Sequence, residues 1–177
     1  MIRLASISDA AAICAIYNYY VSNTSVTFEE EPVGEADMAA RIREVLSSLP
    51  WLVWEEQGAV LGYAYASKWK IRSAYRFAVE SSVYLRPDVT GRGIGRKLYE
   101  RLVAELGKAG MHSVIGGMAM PNSASQALHE KLGFKKVAHF EQVGWKFGKW
   151  IDVGYWELIF ESEPNDSSPP AVIKDRR

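Results

Sequence analysis

The chain has 177 residues, 48% of them hydrophobic and 24% charged, enough for one domain with a real core. Lys plus Arg and Asp plus Glu both total 21, and a formal net charge of zero gives no global reason to expect a nucleic acid partner. A single cysteine, Cys14, excludes an internal disulfide and a cysteine-based metal cluster.

The opening residues, "MIRLASISDA", carry no long apolar run, so neither a signal peptide nor a membrane span is expected, and the chain is read as cytoplasmic. "MIRLA" has the look of a first strand. Ser8 or Asp9 is placed to cap a helix through "AAAICAIYNYYV", in which Cys14 reads as an inert core residue. "SNTSVTFEEEPVG" is a loop closed by Pro32 and Gly34. "EADMAARIREVLSSL" has helical spacing. "WLVWEE", "QG" and "AVLGYAYASKW" predict a β-hairpin. "KIRSAYR" is a loop, and "FAVESSVYLR" is the most strand-like segment, ended with help from Pro87. Residues 94 to 109 form a helix with Gly110 as its stop. "HSVIGGMAM" is a strand. "SASQALHEKLGF" is a helix capped by Asn122 and stopped at Gly133. "KKVAHFEQVGWKF" and "IDVGYWELIF" are two further strands joined at "GKW". No repeat and no second domain is visible. The polar, proline-rich tail at 163–177 is expected to be disordered. Strands interleaved with helices, with antiparallel hairpins at both ends, predict a three-layer α/β architecture: a mixed sheet of about seven strands covered by helices.

The segment "VYLRPDVTGRGIGRKLYE" raises the functional question. A P-loop needs G-x-x-x-x-G-K-S/T, and here the glycines are two apart with neither Ser nor Thr after Lys97. The dinucleotide fingerprint G-x-G-x-x-G fails at Arg96, where its third glycine belongs. What remains is a strand, a turn "GRGIG" and a helix. Backbone N–H groups of residues 91 to 96 are able to curl around an anion, and the helix starting near Ile94 adds its positive dipole end. Arg92 and Arg96 add formal charge. The other reading is a plain glycine-rich turn with exposed arginines, over which the motif alone favours anion binding only modestly.

The second motif is "NSASQALHEKLGF", with Asn122, Ser125, Leu128, Gly133 and Phe134. Together, the glycine turn after a strand and N-x-x-S-x-x-L-x-x-x-x-G-F resemble the GCN5-related N-acetyltransferase (GNAT) superfamily. "WKIRSAYRFAVESSVYL", "FEEEP", "LHEKLGF" and "KFGKWIDVGYW" are similar to its phosphinothricin and methionine sulfoximine acetyltransferase branch, over residues 2 to 160. The family turn is usually Q/R-x-x-G-x-G/A, and Thr90 stands here at its first position. The resemblance implies a single GNAT domain over 1–162 with a mostly antiparallel sheet. It implies acetyl-coenzyme A as cosubstrate, with its pyrophosphate on Gly91, Arg92, Gly93, Ile94, Gly95 and Arg96. The pantetheine arm would follow Asn122, Ser125 and a splayed strand at Val83, Tyr84 and Leu85, where an N–H near Val83 would face the thioester oxygen. It further implies a homodimer and no metal; three scattered histidines also make no metal site.

Glu80 interrupts an apolar strand, where burial of a carboxylate is expensive without a purpose or a partner. From the strand alone it is a general base or a salt-bridged glutamate, and the resemblance implies the base. His129 occupies the position where the wider superfamily has a tyrosine able to protonate the thiolate. It is read with Glu80 as catalytic, with assistance to Glu80, substrate holding and proton donation all open. His112 and His139 are read as structural. "KWKIRSAYR" puts Lys68, Lys70, Arg72 and Arg76 beside the Glu80 strand, with Trp69 and Tyr75 interleaved. On residues alone this is a solvated basic loop or a small-anion site. The branch resemblance implies substrate contacts at Lys70, Ile71, Arg72, Tyr75 and Arg76, and at Phe28 and Glu29 from "TFEEEP". The expected acceptor is a small amino acid analogue such as phosphinothricin or methionine sulfoximine, with herbicide resistance as a consequence. The other readings are a protein N-terminal acetyltransferase and a non-catalytic acyl-coenzyme A-binding module.

Overall fold

In a computed structural model, which describes residues 1–160, the periodic segments form elements in the expected order. They are β1 (Ile2–Leu4), α1 (Ala10–Asn23), α2 (Glu35–Leu46), β2 (Trp51–Glu56), β3 (Ala59–Lys68), β4 (Ala78–Leu85), α3 (Ile94–Lys108), β5 (Ser113–Ala119), α4 (Ser123–Lys131), β6 (Lys135–Lys146) and β7 (Lys149–Ile159). The tail expected to be disordered, 163–177, lies outside the described residues. No helix among the described residues is long and apolar enough to cross a membrane.

The seven strands form one sheet in the order β1-β2-β3-β4-β5-β7-β6. Only β4 and β5 run parallel; every other neighbouring pair is antiparallel. The helices cover both faces. On one, Ile13 and Tyr17 of α1 and Met38 and Ile42 of α2 pack with Val53 and Tyr63. On the other, the i, i+4 stripe Leu98, Leu102 and Leu106 of α3 packs with Ala64, Val79, Val114 and Trp156. Strand side chains alternate between faces. Glu80, Ser82 and Tyr84 therefore point toward the α1/α2 side, and Val79, Ser81 and Val83 toward the α3/α4 side.

One boundary differs from the sequence reading. Lys149 and Trp150 belong to β7 rather than to the turn, because Lys146 pairs with Lys149 and Trp145 with Trp150. Phe147 and Gly148 alone make the bend, both with positive φ (51° and 71°). That geometry suits the twist of a two-residue hairpin, and the aromatic residue in first place hides the usual turn signature.

Candidate active site

The sheet divides at one point. β4 and β5 pair through Ala78↔Ser113, Val79↔Val114 and Glu80↔Ile115, and no further. β4 continues along β3 as far as Leu85↔Gly62, while β5 continues along β7 as far as Ala119↔Val153. Between residues 81–85 and 116–119 a gap opens, and alternate backbone N–H and C=O groups of β4 face it with no strand to pair with.

Glu80 sits at the start of that gap. Its carboxyl lines a cavity of about 520 Å³ together with Phe28, Ser82, Tyr84, Gly117 and Tyr155. Burial pushes the Glu80 carboxyl above its ordinary range, and the nearby Lys70 ammonium draws it partly back. Gly117 provides the room. A Cβ there would lie 3.1 Å from Glu80 Oε1 and 2.9 Å from Tyr155 Cε1. Burial also raises the Tyr155 hydroxyl, and the Glu80 charge adds to that rise. A carboxylate held in a half-dry pocket beside an unpaired strand edge is equipped to take a proton from a bound ammonium.

His129 is not in this cavity. It is 4% exposed, on the opposite side of the sheet, with its ring edge-on to the stacked pair Tyr99 and Phe134 at 5.0 Å from each. Its Nδ1–H donates to the Ser125 carbonyl at 2.8 Å. Nε2 is thereby left as an acceptor for the Tyr99 hydroxyl at 2.9 Å. Ser81 Oγ lies 2.6 Å beyond that hydroxyl, which completes a buried chain from β4 to α4. Burial lowers the His129 pKa. The ring lies across the sheet from Glu80 and does not reach that carboxylate, and its two nitrogens are engaged by Ser125 and Tyr99.

The glycine turn matches its expected form. Gly91 and Gly93 have φ of +79° and +77°, and Gly93 begins α3 with no side-chain cap. The first N–H groups of α3 thus point out of the helix end without a capping partner. Gly95 serves packing instead, since a Cβ there would meet Leu85 Cδ1 at 3.3 Å. The two arginines do not converge on the turn: Arg92 pairs with Glu56 at 2.8 Å and Arg96 with Glu100 at 2.7 Å. What the turn offers an anion is its backbone N–H groups and the helix end near Ile94.

Several other expected contacts are relocated. The Leu85 carbonyl accepts from the Tyr20 hydroxyl at 2.7 Å, and its side chain packs over Gly62 and Gly95, so Leu85 offers less to a ligand than Val83 and Tyr84 do. Asn122 Oδ1 accepts from the Ser125 N–H at 3.1 Å, and its side chain is occupied as the α4 cap. Phe28 lines the Glu80 cavity, but Glu29 turns away to Arg41 (2.7 Å) and Tyr17 (3.1 Å). Of the basic loop, Lys70 stays close to Glu80 and lines a neighbouring cavity with Trp69 and Tyr155. Ile71 is 98% exposed, at the mouth of a separate cavity walled by Trp51 and Tyr65. Arg72 and Tyr75 are exposed, and Arg76 lies over the Phe77 ring; none of the three lines the Glu80 cavity.

Sequence reasoning passed over Gly116, Gly117, Tyr99 and Tyr155. The paired glycines in the middle of a strand were the available signal, since a strand glycine marks close approach of another group. Gly116 makes room for the His129 ring on one face and Gly117 for Glu80 on the other.

Residues 2–154 match the family model described as an acetyltransferase (GNAT) domain. The chain is 38% identical to a phosphinothricin N-acetyltransferase of Streptomyces viridochromogenes, covering 98% of this chain and 92% of that protein. It is 40% identical to an L-methionine sulfoximine/L-methionine sulfone acetyltransferase of Salmonella typhimurium, covering 89% and 92% respectively. The crystal structure of a GNAT superfamily phosphinothricin acetyltransferase from Sinorhizobium meliloti, in complex with acetyl-coenzyme A, superimposes with a TM-score of 0.92 at 36% identity, covering 98% of this chain and 95% of that one.

Proposed function

The chain belongs to the GNAT acetyltransferase family and is an N-acetyltransferase, and from that premise we propose that it acetylates the amine of a small amino acid analogue of the phosphinothricin or methionine sulfoximine kind, with Glu80 as general base. The observation that carries this reading is the raised carboxyl of Glu80 at the point where β4 and β5 part.

The gap and the uncapped start of α3 fit acetyl-coenzyme A. Backbone groups of Val83 and Tyr84 would hold the pantetheine arm, and residues 91 to 96 the pyrophosphate. The coenzyme supplies an acetyl group as a thioester, whose C–S bond breaks as the C–N bond forms. Glu80 takes the proton that an ammonium must lose before its nitrogen has a free pair. Gly117 leaves room for the carboxylate beside the gap, next to the Tyr155 ring. Lys70 supplies a positive charge near the same cavity, suited to the carboxylate or phosphinate of an anionic acceptor. The names of the relatives support that substrate class. The exposed Trp145, Phe147 and Trp150 of the β6–β7 hairpin support a homodimer, to be checked by light scattering across a dilution series.

The direct test is release of free thiol from acetyl-coenzyme A. The acceptors are methionine sulfoximine, phosphinothricin, methionine sulfone, the common amino acids, an aminoglycoside and a short peptide. Turnover confined to the amino acid analogues and amino acids supports the proposal. Turnover with the peptide alone would shift the assignment to protein N-termini. Coenzyme binding with no turnover at all would leave a binding module.

A further inference from the structure

Lys146 is the one buried lysine among the described residues, 2% exposed near the end of β6. An ammonium is expensive to bury, and its place here is explained by one bond. Nζ donates to the Thr27 carbonyl at 2.8 Å, across 119 positions of sequence. The Phe147 ring lies 5.0 Å from the same nitrogen. Burial lowers the Lys146 pKa, and the charges of Glu30 and Glu29 draw it partly back up.

The bonded carbonyl belongs to the peptide that leads into Phe28. Two residues before Lys146, and so on the same side of β6, Gly144 leaves the space that the Phe28 ring fills. Thr27, Phe28 and Gly144 all line the Glu80 cavity. From the other side, Tyr17 holds the Thr27 hydroxyl at 2.7 Å and Arg41 holds Glu29 at 2.7 Å. The segment 27–29 is thus a strap across the Glu80 face, tied by α1 and α2 at one edge and by β6 at the other.

We propose that Lys146 is a positioning residue for the acceptor: by holding the Thr27 carbonyl it keeps Phe28 seated on Gly144, and the seated ring forms the wall that limits the acceptor's size. This rests on the reading of the Glu80 cavity as the acceptor site. Lys146 touches no reacting atom. Its loss frees the β6 edge of the strap and lets the Phe28 ring leave its seat.

The full-length protein, labelled with 4-fluorophenylalanine, gives a fluorine resonance for Phe28 that is assigned by its absence in Phe28→Leu. Lys146→Met is expected to move or broaden that resonance. It is expected to raise the KM for methionine sulfoximine by about tenfold, as loss of a charge-assisted bond implies, with the KM for acetyl-coenzyme A nearly unchanged. Gly144→Ala keeps the lysine but fills the seat. It should give the same KM split, and it carries the test if Lys146→Met does not fold. Because both act through one ring, the double variant should be no worse than the stronger single variant. An unmoved Phe28 resonance in Lys146→Met, parallel loss of both KM values, or additive effects would overturn the positioning role. A moved resonance in a protein that acetylates no amino acid acceptor would instead overturn the acceptor site on which it rests.

Discussion

Glu80 and His129, the two side chains expected to share the chemistry, lie on opposite faces of the sheet and are separated by two consecutive glycines of β5. Gly117 faces the Glu80 carboxylate and Gly116 faces the His129 ring, because neighbouring strand residues point in opposite directions. The Glu80 carboxylate and the buried hydroxyl chain Ser81–Tyr99–His129 thus flank the β4–β5 gap from two sides.

The glycine pair separates stability from activity. Gly116→Ala drives a methyl into the His129 ring inside a packed core, and we expect a loss of about 1–3 kcal/mol in denaturant unfolding. Gly117→Ala presses on Glu80 Oε1 and Tyr155 at the cavity rim, where side chains can yield. It should lower kcat/KM with little loss of stability. Equal melting temperatures for the two variants would contradict the two-face arrangement.

Glu80→Gln keeps the shape and removes the proposed base. Turnover is expected to drop by about 10²- to 10⁴-fold, while acetyl-coenzyme A binding by calorimetry stays near wild type. The same variant carries a stability signature. A carboxyl raised in the folded state binds a proton there more readily than in the unfolded chain. Its contribution is therefore most favourable at acid pH and is lost as pH rises from the ordinary carboxylate range through the raised folded value. Glu80→Gln should gain stability relative to wild type across that window and not below it.

Lys70→Met removes the charge that draws the Glu80 pKa down. The acidic limb of kcat/KM should move to higher pH, and the KM for an anionic acceptor should rise. An unmoved limb would mean that Lys70 does not act on the base.

His129 gives the opposite stability sign. Its folded pKa lies below the ordinary 6.5, so the unfolded chain binds the proton first and stability falls as pH drops below that value. In His129→Gln the fall in melting temperature between neutral and mildly acid pH should be shallower than in wild type. An identical pH slope would show that the ring is not held neutral.

Much of the fold was legible because burial periodicity is a local property. The apolar run marked "FAVESSVYLR" as a strand, Asn122 marked the start of α4, and glycines 91 and 93 marked a turn, where the structure has positive φ. The Phe147–Gly148 bend was misplaced because its first residue carries no turn signature. In the site, Glu80 stood out as a charge in an apolar strand and Phe28 by family resemblance, and both line one cavity. Arg72, Tyr75 and Arg76 were grouped with them by the branch resemblance, and none of the three lines that cavity.

The amino-acid sequence by itself determined the elements, the glycine turn before α3 and the presence of a carboxylate in an apolar strand, since each depends on residues within a few positions of one another. Only the tertiary structure decided where the sheet parts, that His129 faces away from Glu80, and that Lys146 reaches Thr27 from 119 residues along the chain. Those facts depend on strand register and on which face a side chain takes, and both are settled when distant segments pack against one another.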